Sequence, residues 1–167
     1  MLLSKSCEYG LRAMLYLGSR EADDGGEADK ANGRSPSSPR EYISIQTISD
    51  ELGIGFSFLT KVFQQLNEVG LLTSKRGPGG GVALTRPADA ISLYEIVVAI
   101  DGDDLFEECV LGLPGCGEAE PCPLHAHWTE ERDRMKATFQ ATTLSEVPDV
   151  RLTPFIEGET SAEETSS

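Results

Sequence analysis

The sequence has no apolar run long enough to cross a bilayer, and Met1-Leu2-Leu3 followed at once by Ser4-Lys5 is not a signal peptide. It also lacks a nucleotide-binding loop and a paired catalytic carboxylate signature, and neither of its two histidines lies in a recognisable nucleophile motif. These absences predict a cytoplasmic protein that is not an enzyme.

Positive charge is scarce, since 14 Lys and Arg residues stand against 28 Asp and Glu residues, for a net charge of −14. An evenly acidic surface would exclude binding to the nucleic-acid backbone. The charge is uneven, however. Residues 1–20 carry three basic and one acidic side chain and residues 43–87 carry four and three, whereas residues 88–147 carry three and thirteen. The first two segments are therefore where a nucleic-acid partner is expected.

Three of the four cysteines lie close together. Cys109, Cys116 and Cys122 precede His125 in the pattern Cys-x6-Cys-x5-Cys-x2-His, in a stretch rich in Gly, Pro and acid. In a chain without an export signal, a ligand or redox role is favoured over disulfides. Typical zinc sites contain a close Cys-x2–4-Cys pair, which is missing here, whereas wide intervals suit a loop around a larger iron–sulfur cluster. We favour the cluster, with zinc and a thiol or disulfide switch as alternatives.

The fold class predicted from apolar periodicity is mainly α with a small β-wing. Two short helices, residues 45–52 and 57–69, are joined by a Gly-containing turn and form a helix-turn-helix. Residues 71–75 and 82–85 read as two strands joined by a Gly-rich tip, which makes the unit a winged helix. The other predicted helices cover residues 4–20, 92–100 and 124–142, the last being a long helix suited to packing on a second copy of the chain or within one subunit.

Composition divides the chain into three parts. Residues 1–87 are the predicted winged helix-turn-helix DNA-binding domain, with a flexible acidic insertion at 21–40 that has almost no large apolar side chains. Residues 88–147 are the predicted dimerisation region, with the cysteine loop at 109–125, and residues 148–167 are predicted to be a disordered acidic tail.

Candidate DNA-binding residues lie on the second helix of the helix-turn-helix and on the wing. Polar side chains off the apolar stripe of that helix can hydrogen-bond base edges or phosphates, although an ordinary solvated face has the same pattern. Glycines in the wing let the backbone approach a phosphate closely, and an arginine beside them suits the narrow minor groove. The candidates are Ser57, Thr60, Lys61, Gln64, Gln65, Lys75, Arg76, Gly77, Pro78, Gly79 and Gly80.

Residues 4–14, SKSCEYGLRAM, and the wing sequence RGPGGG at 76–81, together with the spaced cysteines, resemble the IscR/NsrR-type (BadM-like) family of bacterial winged-helix transcriptional regulators. The similarity covers about residues 1–20 and 42–147. It implies a homodimer on a double-stranded DNA operator, most often as a repressor, with the long C-terminal helix crossing to the other subunit. It further implies a two-iron or four-iron cluster that senses redox state, nitric oxide or iron–sulfur status and is held by Cys109, Cys116, Cys122 and one further ligand.

The resemblance offers three candidates for that fourth ligand. His125 ranks first because it matches the histidine after the third cysteine in the iron–sulfur assembly regulator. Glu8 ranks second because it matches an N-terminal carboxylate ligand in nitric-oxide-sensing relatives, and the neighbouring Cys7 ranks third. Because the loop is expected to be partly exposed, the purified protein can lose its cluster.

Two departures from the family pattern limit what carries over. The first cysteine interval is six residues rather than five, and Thr60 replaces an acidic residue that reads the operator in the iron–sulfur assembly regulator. The operator sequence is therefore not expected to be shared. The remaining alternatives are a winged-helix regulator with structural zinc or a thiol switch at the same cysteines, and a cluster carrier that binds no DNA.

Overall fold

The computed structural model describes residues 3–23, 41–112 and 121–147 of the 167-residue chain. Over these residues the fold is mainly helical with one small antiparallel sheet, as predicted. No helix in these three segments is long and apolar enough to span a membrane. The predicted acidic tail and most of the predicted insertion lie outside them.

The N-terminal half contains a helix followed by the helix-turn-helix. Ser44 caps the second helix, because its hydroxyl oxygen accepts a hydrogen bond from the Thr47 amide at 3.0 Å. That helix ends at Gly53, whose φ of 64° is the left-handed conformation that glycine adopts most easily. The three helices are α1 (Lys5–Asp23), α2 (Ile45–Leu52) and α3 (Phe56–Glu68).

The wing is a two-stranded sheet, formed by β1 (Leu72–Lys75) and β2 (Gly81–Leu84). A third segment, which the sequence analysis did not predict, joins it: Ile43 exchanges two backbone hydrogen bonds with Val82, at 2.9 and 3.0 Å. The segment before α2 therefore fixes the wing to the helix-turn-helix.

The C-terminal half contains α4 (Leu93–Asp101), α5 (Asp104–Glu107) and α6 (His125–Ala141), with single 3-10 turns at Ala88–Ala90 and Leu144–Glu146. Capping boxes at Ser92 and Thr143 open α4 and the last turn. Around Ser92, backbone hydrogen bonds attach the end of α6 to the start of α4, including Leu93 N–H to the Thr142 carbonyl at 2.9 Å.

Most predicted boundaries differ from the structure by one to three residues, and three differences matter most. First, α1 continues to Asp23, so it includes residues that were assigned to the insertion. Second, α3 begins at Phe56 and ends at Glu68, one residue earlier than predicted at both ends. Third, α5 lies where no helix was predicted, because a helix of four residues has no visible periodicity. Its Phe106 is buried and its Leu105 is partly buried.

One main core joins the two halves of the chain. The α3 residues Leu59, Val62, Phe63 and Leu66 are buried, as predicted, and they share a cluster with Ile96 of α4 and with Leu144. The described residues after 87 therefore complete the core of the winged helix.

A second, smaller cluster lies beneath α5. Phe106 is almost fully buried there with Cys7 of α1 and Val97 of α4. Its ring lies 5.5 Å from that of Phe139 on α6, edge to face, so this cluster holds α1, α4, α5 and α6 together.

Candidate nucleic-acid interface and metal centre

The polar face predicted on α3 is exposed in the structure: Ser57, Thr60, Lys61, Gln64 and Gln65 all lie on the solvent side of the helix. The hydroxyl of Thr60 donates to the Phe56 carbonyl at 2.8 Å, which leaves its oxygen as an acceptor toward solvent. The Gln64 amide nitrogen donates to the Glu68 carboxylate at 3.2 Å. This face therefore presents hydrogen-bonding groups at helical spacing, as a groove-reading helix requires.

One exposed residue of α3 was missed. Phe56 begins the helix and leaves 47% of its surface exposed, on the same side as Thr60. Starting the predicted helix one residue earlier would have placed Phe56 one turn before Thr60, at the border between the polar and the apolar faces.

The tip of the wing is a tight turn whose geometry explains its glycines. The Gly80 amide donates to the Gly77 carbonyl at 2.9 Å around Pro78 and Gly79, and Gly79 has a φ of 69°. Pro at the second position and a left-handed Gly at the third are typical of a type II turn. The predicted wing residues from Lys75 to Gly79 are exposed, and Gly80 is half-buried.

Three cations on this side of the molecule have no acidic partner. Lys61, Lys75 and Arg76 form no salt bridge with any residue in the described segments. The ammonium of Lys75 lies 5.9 Å from the centre of the Tyr42 ring, a cation–π contact that leaves its charge exposed. Because no carboxylate of the described segments pairs with them, these cations are available to an anionic backbone.

The cysteine loop is described at its two ends. Cys109 follows α5 and Cys122 precedes α6; both are half-buried thiols, not disulfides. His125 is the first residue of α6, and its amide donates to the Cys122 carbonyl at 2.9 Å. Cys116 lies outside the described residues. Without it, no three His, Cys, Asp or Glu side chains come together in the described segments in a way that could hold a metal ion.

Three α6 side chains, four residues apart, hold the residues just before Cys109. We call Trp128, Arg132 and Lys136 the α6 clamp. The Trp128 indole N–H donates to the Glu108 carbonyl at 2.9 Å, and the Arg132 guanidinium donates to the Glu107 carbonyl at 2.7 Å. Lys136 forms a hydrogen-bonded ion pair with the Glu107 carboxylate, which lowers the pKa of Glu107 and raises the pKa of Lys136. The start of the cysteine loop is therefore fastened to α6.

The other two candidates for the fourth ligand lie on α1. Cys7 is fully buried, and this burial, together with the nearby carboxylate of Asp101, raises the pKa of its thiol to about 12. Glu8 is half-buried, and its carboxylate pairs with Lys5 at 3.1 Å and with Arg12 at 3.0 Å. Within one subunit, both side chains are thus engaged by neighbours on α1 and α4.

The donors at the ends of the loop suit a soft metal centre. Thiols at Cys109 and Cys122 with an imidazole at His125 are ligands that iron–sulfur clusters and zinc both accept. The two cysteines are half-buried, whereas Cys7 is sealed in a core. The residues present therefore fit a cysteine-ligated metal group.

Sequence comparisons identify the family of the chain. The profile of the Rrf2 family, described as iron-dependent transcriptional regulators, matches residues 35–149. HTH-type transcriptional regulators named IscR, from several strains of Escherichia coli, are 34% identical over 105 residues. That match covers 63% of this chain and 64% of the relatives' own length.

Solved structures share the fold. The structure of CymR, titled the global cysteine regulator of B. subtilis, superimposes with a TM-score of 0.65 at 22% identity, over 87% of this chain and 95% of that one. IscR from T. potens gives a TM-score of 0.62 at 18% identity, over 86% and 83%. Oxidised CymR from Staphylococcus aureus gives 0.62 at 24% identity, over 90% and 98%.

Proposed function

Because this chain belongs to the Rrf2 family of transcriptional regulators, we propose that it is a DNA-binding repressor whose affinity for its operator is set by an iron–sulfur cluster in the cysteine loop. It is a regulator and not an enzyme. In this proposal it acts in the cytoplasm as a homodimer on double-stranded DNA, and it responds to redox state, nitric oxide or iron–sulfur status.

The observation that carries the proposal is the surface formed by α3 and the wing. On a chain with a net charge of −14, it exposes Lys61, Lys75 and Arg76 without acidic partners in the described segments. In a winged helix, the second helix of the helix-turn-helix enters the major groove. The wing then lies along the backbone, where Arg76 can enter the minor groove.

The proposed dimer rests on α6 and on the apolar residues beside its start. No residue of this 17-residue helix is buried within the chain. Leu124, which was predicted to lie on its packed stripe, is 49% exposed, and Val110 and Leu111 are exposed as well. Apolar side chains left in solvent favour association, so we assign this side of α6 and the loop to the contact between two copies.

The cluster is proposed to be held by Cys109, Cys116 and Cys122, with His125 as the fourth ligand. Glu8, and after it Cys7, remain the alternatives; the pairing of Glu8 and the burial of Cys7 support this order. When bound, the cluster would supply iron atoms whose ligation oxidation or nitric oxide can change. The α6 clamp holds residues 107 and 108 against α6, so the position of Cys109 depends on that helix.

A packed route connects the cysteine loop to α3. Phe106, at the start of the route, packs on Cys7 of α1. At the end of α4, Asp101 accepts a hydrogen bond from the Ser4 amide at 2.8 Å and so attaches to the start of α1. When the loop becomes ordered or disordered, α1 and α4 can therefore move relative to α3. The chain with the cluster and the chain without it then differ in operator affinity.

The test is anaerobic purification of the full chain, followed by a visible spectrum and by iron, sulfide and zinc analysis. Broad absorption at about 320–450 nm with matched iron and sulfide is expected. DNA binding is then compared with and without air and nitric oxide. Cys116→Ala should lose both the iron and the response. Cys7→Ala, the matched control, should keep the iron.

Other outcomes would contradict the proposal at different points. A colourless protein with stoichiometric zinc would make the cysteines structural and leave a DNA-binding regulator without this sensor. A Cys116→Ala variant that keeps its cluster would refute the ligand assignment. A clustered protein that binds no DNA would favour a cluster carrier instead.

A further inference from the structure

Phe56 is a large aromatic residue in a position where packing within the chain does not explain it. It is 47% exposed at the first turn of α3, although aromatic side chains normally bury most of their surface. A Cβ built on the preceding residue, Gly55, would meet no atom within 4 Å. The described residues therefore leave this helix end open around Gly55 and cover only part of the Phe56 ring.

The ring lies where the polar and the apolar faces of α3 meet. At about 100° per residue, Phe56 lies about 40° around the helix from the exposed Thr60 and about 20° from the buried Phe63. The hydrogen bond from Thr60 to the Phe56 carbonyl keeps the Thr60 side chain beside this first turn. A surface that α3 presents to DNA through Thr60 therefore has Phe56 at its edge.

The major groove contains one apolar group, the C5-methyl of thymine, among its hydrogen-bond donors and acceptors. In a helix-turn-helix, the N-terminal residues of the recognition helix are those that reach the base edges. Phe56 lies at that end, and it can neither donate nor accept a hydrogen bond. On the basis of the proposed function, we infer that Phe56 is a specificity-determining residue that selects thymine by contact with its methyl group.

The test measures the contribution of the thymine methyl group alone, with the rest of the base unchanged. Duplexes that the full-length protein binds are first recovered by in vitro selection from a random pool. Each thymine of the recovered site is then replaced singly by deoxyuridine, which lacks only the C5-methyl. At one thymine per half-site, this replacement should weaken wild-type binding about fourfold, the value expected for one buried methyl-sized group.

Two variants make the test specific. Phe56→Ala should bind the thymine and deoxyuridine duplexes equally. Gln65→Ala, an exposed change about 180° around α3 from Phe56, should bind both more weakly but keep the fourfold preference. Because both side chains are exposed, both variants should fold, and circular dichroism can check this.

Three results would overturn the inference. If no thymine replacement weakens wild-type binding although a specific site was recovered, Phe56 reads no methyl while the regulator remains a DNA-binding protein. If Phe56→Ala keeps the preference for thymine, another residue makes the contact. If no site is recovered and the protein binds no duplex, the proposed function fails and this inference fails with it.

Discussion

Ile100 of α4 lies directly over Gly10 of α1: a Cβ at residue 10 would be 2.3 Å from the Ile100 Cδ1. The same Cβ would be 3.0 Å from a Val62 methyl, so α1, α3 and α4 meet at a position that has room only for hydrogen. Because Val62 belongs to the candidate recognition helix and α4 leads into the cysteine loop, this contact lies on the proposed route between them.

We expect Gly10→Ala to reduce the free energy of unfolding and to weaken operator binding. Overpacking costs about 1–3 kcal/mol, and the better helix propensity of Ala returns about 1 kcal/mol. Ile100→Val removes the clashing methyl, so the double variant should lose less stability than the two single losses added together. Urea unfolding followed by circular dichroism measures this coupling. Simple additivity would show that residues 10 and 100 do not share the constraint.

Gly81→Ala should weaken the backbone hydrogen bonds between Ile43 and Val82, which join the wing to the segment before α2. Gly81 has a φ of 151°, and a Cβ there would lie 2.1 Å from the Ile43 carbonyl oxygen, a backbone atom that cannot rotate away. We expect faster amide exchange at Val82 and a loss of DNA affinity. Gly79→Ala is the control: its φ is 69° but nothing lies within 4 Å, so it should cost only about 1–2 kcal/mol of backbone strain. Equal effects of the two changes would contradict the role given to Ile43.

Arg76→Ala should weaken operator binding by about 1–3 kcal/mol and reduce its dependence on salt. The matched control is Arg134→Ala on α6, an exposed arginine that pairs with Glu131. Its removal should leave affinity unchanged. Gel-shift titrations at several salt concentrations distinguish the two. Equal losses would point to net charge rather than to the wing.

Cys7 should behave as a neutral, protected thiol. Its folded pKa of about 12 exceeds the ordinary value of about 9. Below pH 9 its contribution to stability is therefore fully present, and it is lost as pH rises from about 9 to about 12. The slope is at most about 1.4 kcal/mol per pH unit. Urea unfolding across this range, with Cys7→Ala as the comparison, isolates the effect from other titrating groups. A wild-type slope equal to that of the variant would contradict it.

Trp128→Phe should weaken retention of the proposed metal group while leaving the fold intact. The change keeps an aromatic ring at this position but removes the indole N–H that donates to the Glu108 carbonyl. One hydrogen bond of about 1 kcal/mol corresponds to roughly fivefold faster loss of iron to a chelator. Thr138→Ala, also on α6, removes a hydroxyl that bonds only within that helix. This control should lose iron at the wild-type rate.

Local signals in the sequence predicted much of the fold. Ser44, Ser92 and Thr143 each place a hydroxyl next to the amides that they cap, so these helix starts were visible from neighbours a few residues away. The polar and apolar faces of α3 follow from helical spacing alone and were also confirmed.

Contacts between distant residues were not predictable in the same way. The bridge between Ile43 and Val82 joins two backbone segments, and the bond from the Trp128 indole ends on the Glu108 backbone carbonyl. Backbone atoms carry no sequence signature. Phe56 was missed for a different reason: the predicted helix began one residue too late, which removed it from the exposed arc. The ligand assignments stay predictions, since Cys116 lies outside the described residues.

Trp128 is the only tryptophan of the chain, and its indole is bonded to the residue before Cys109. All indole emission therefore arises beside the cysteine loop. Fluorescence thus reports the state of the loop without any label. A titration with DNA that shifts this emission would measure communication across the molecule, and metal loading should quench it directly.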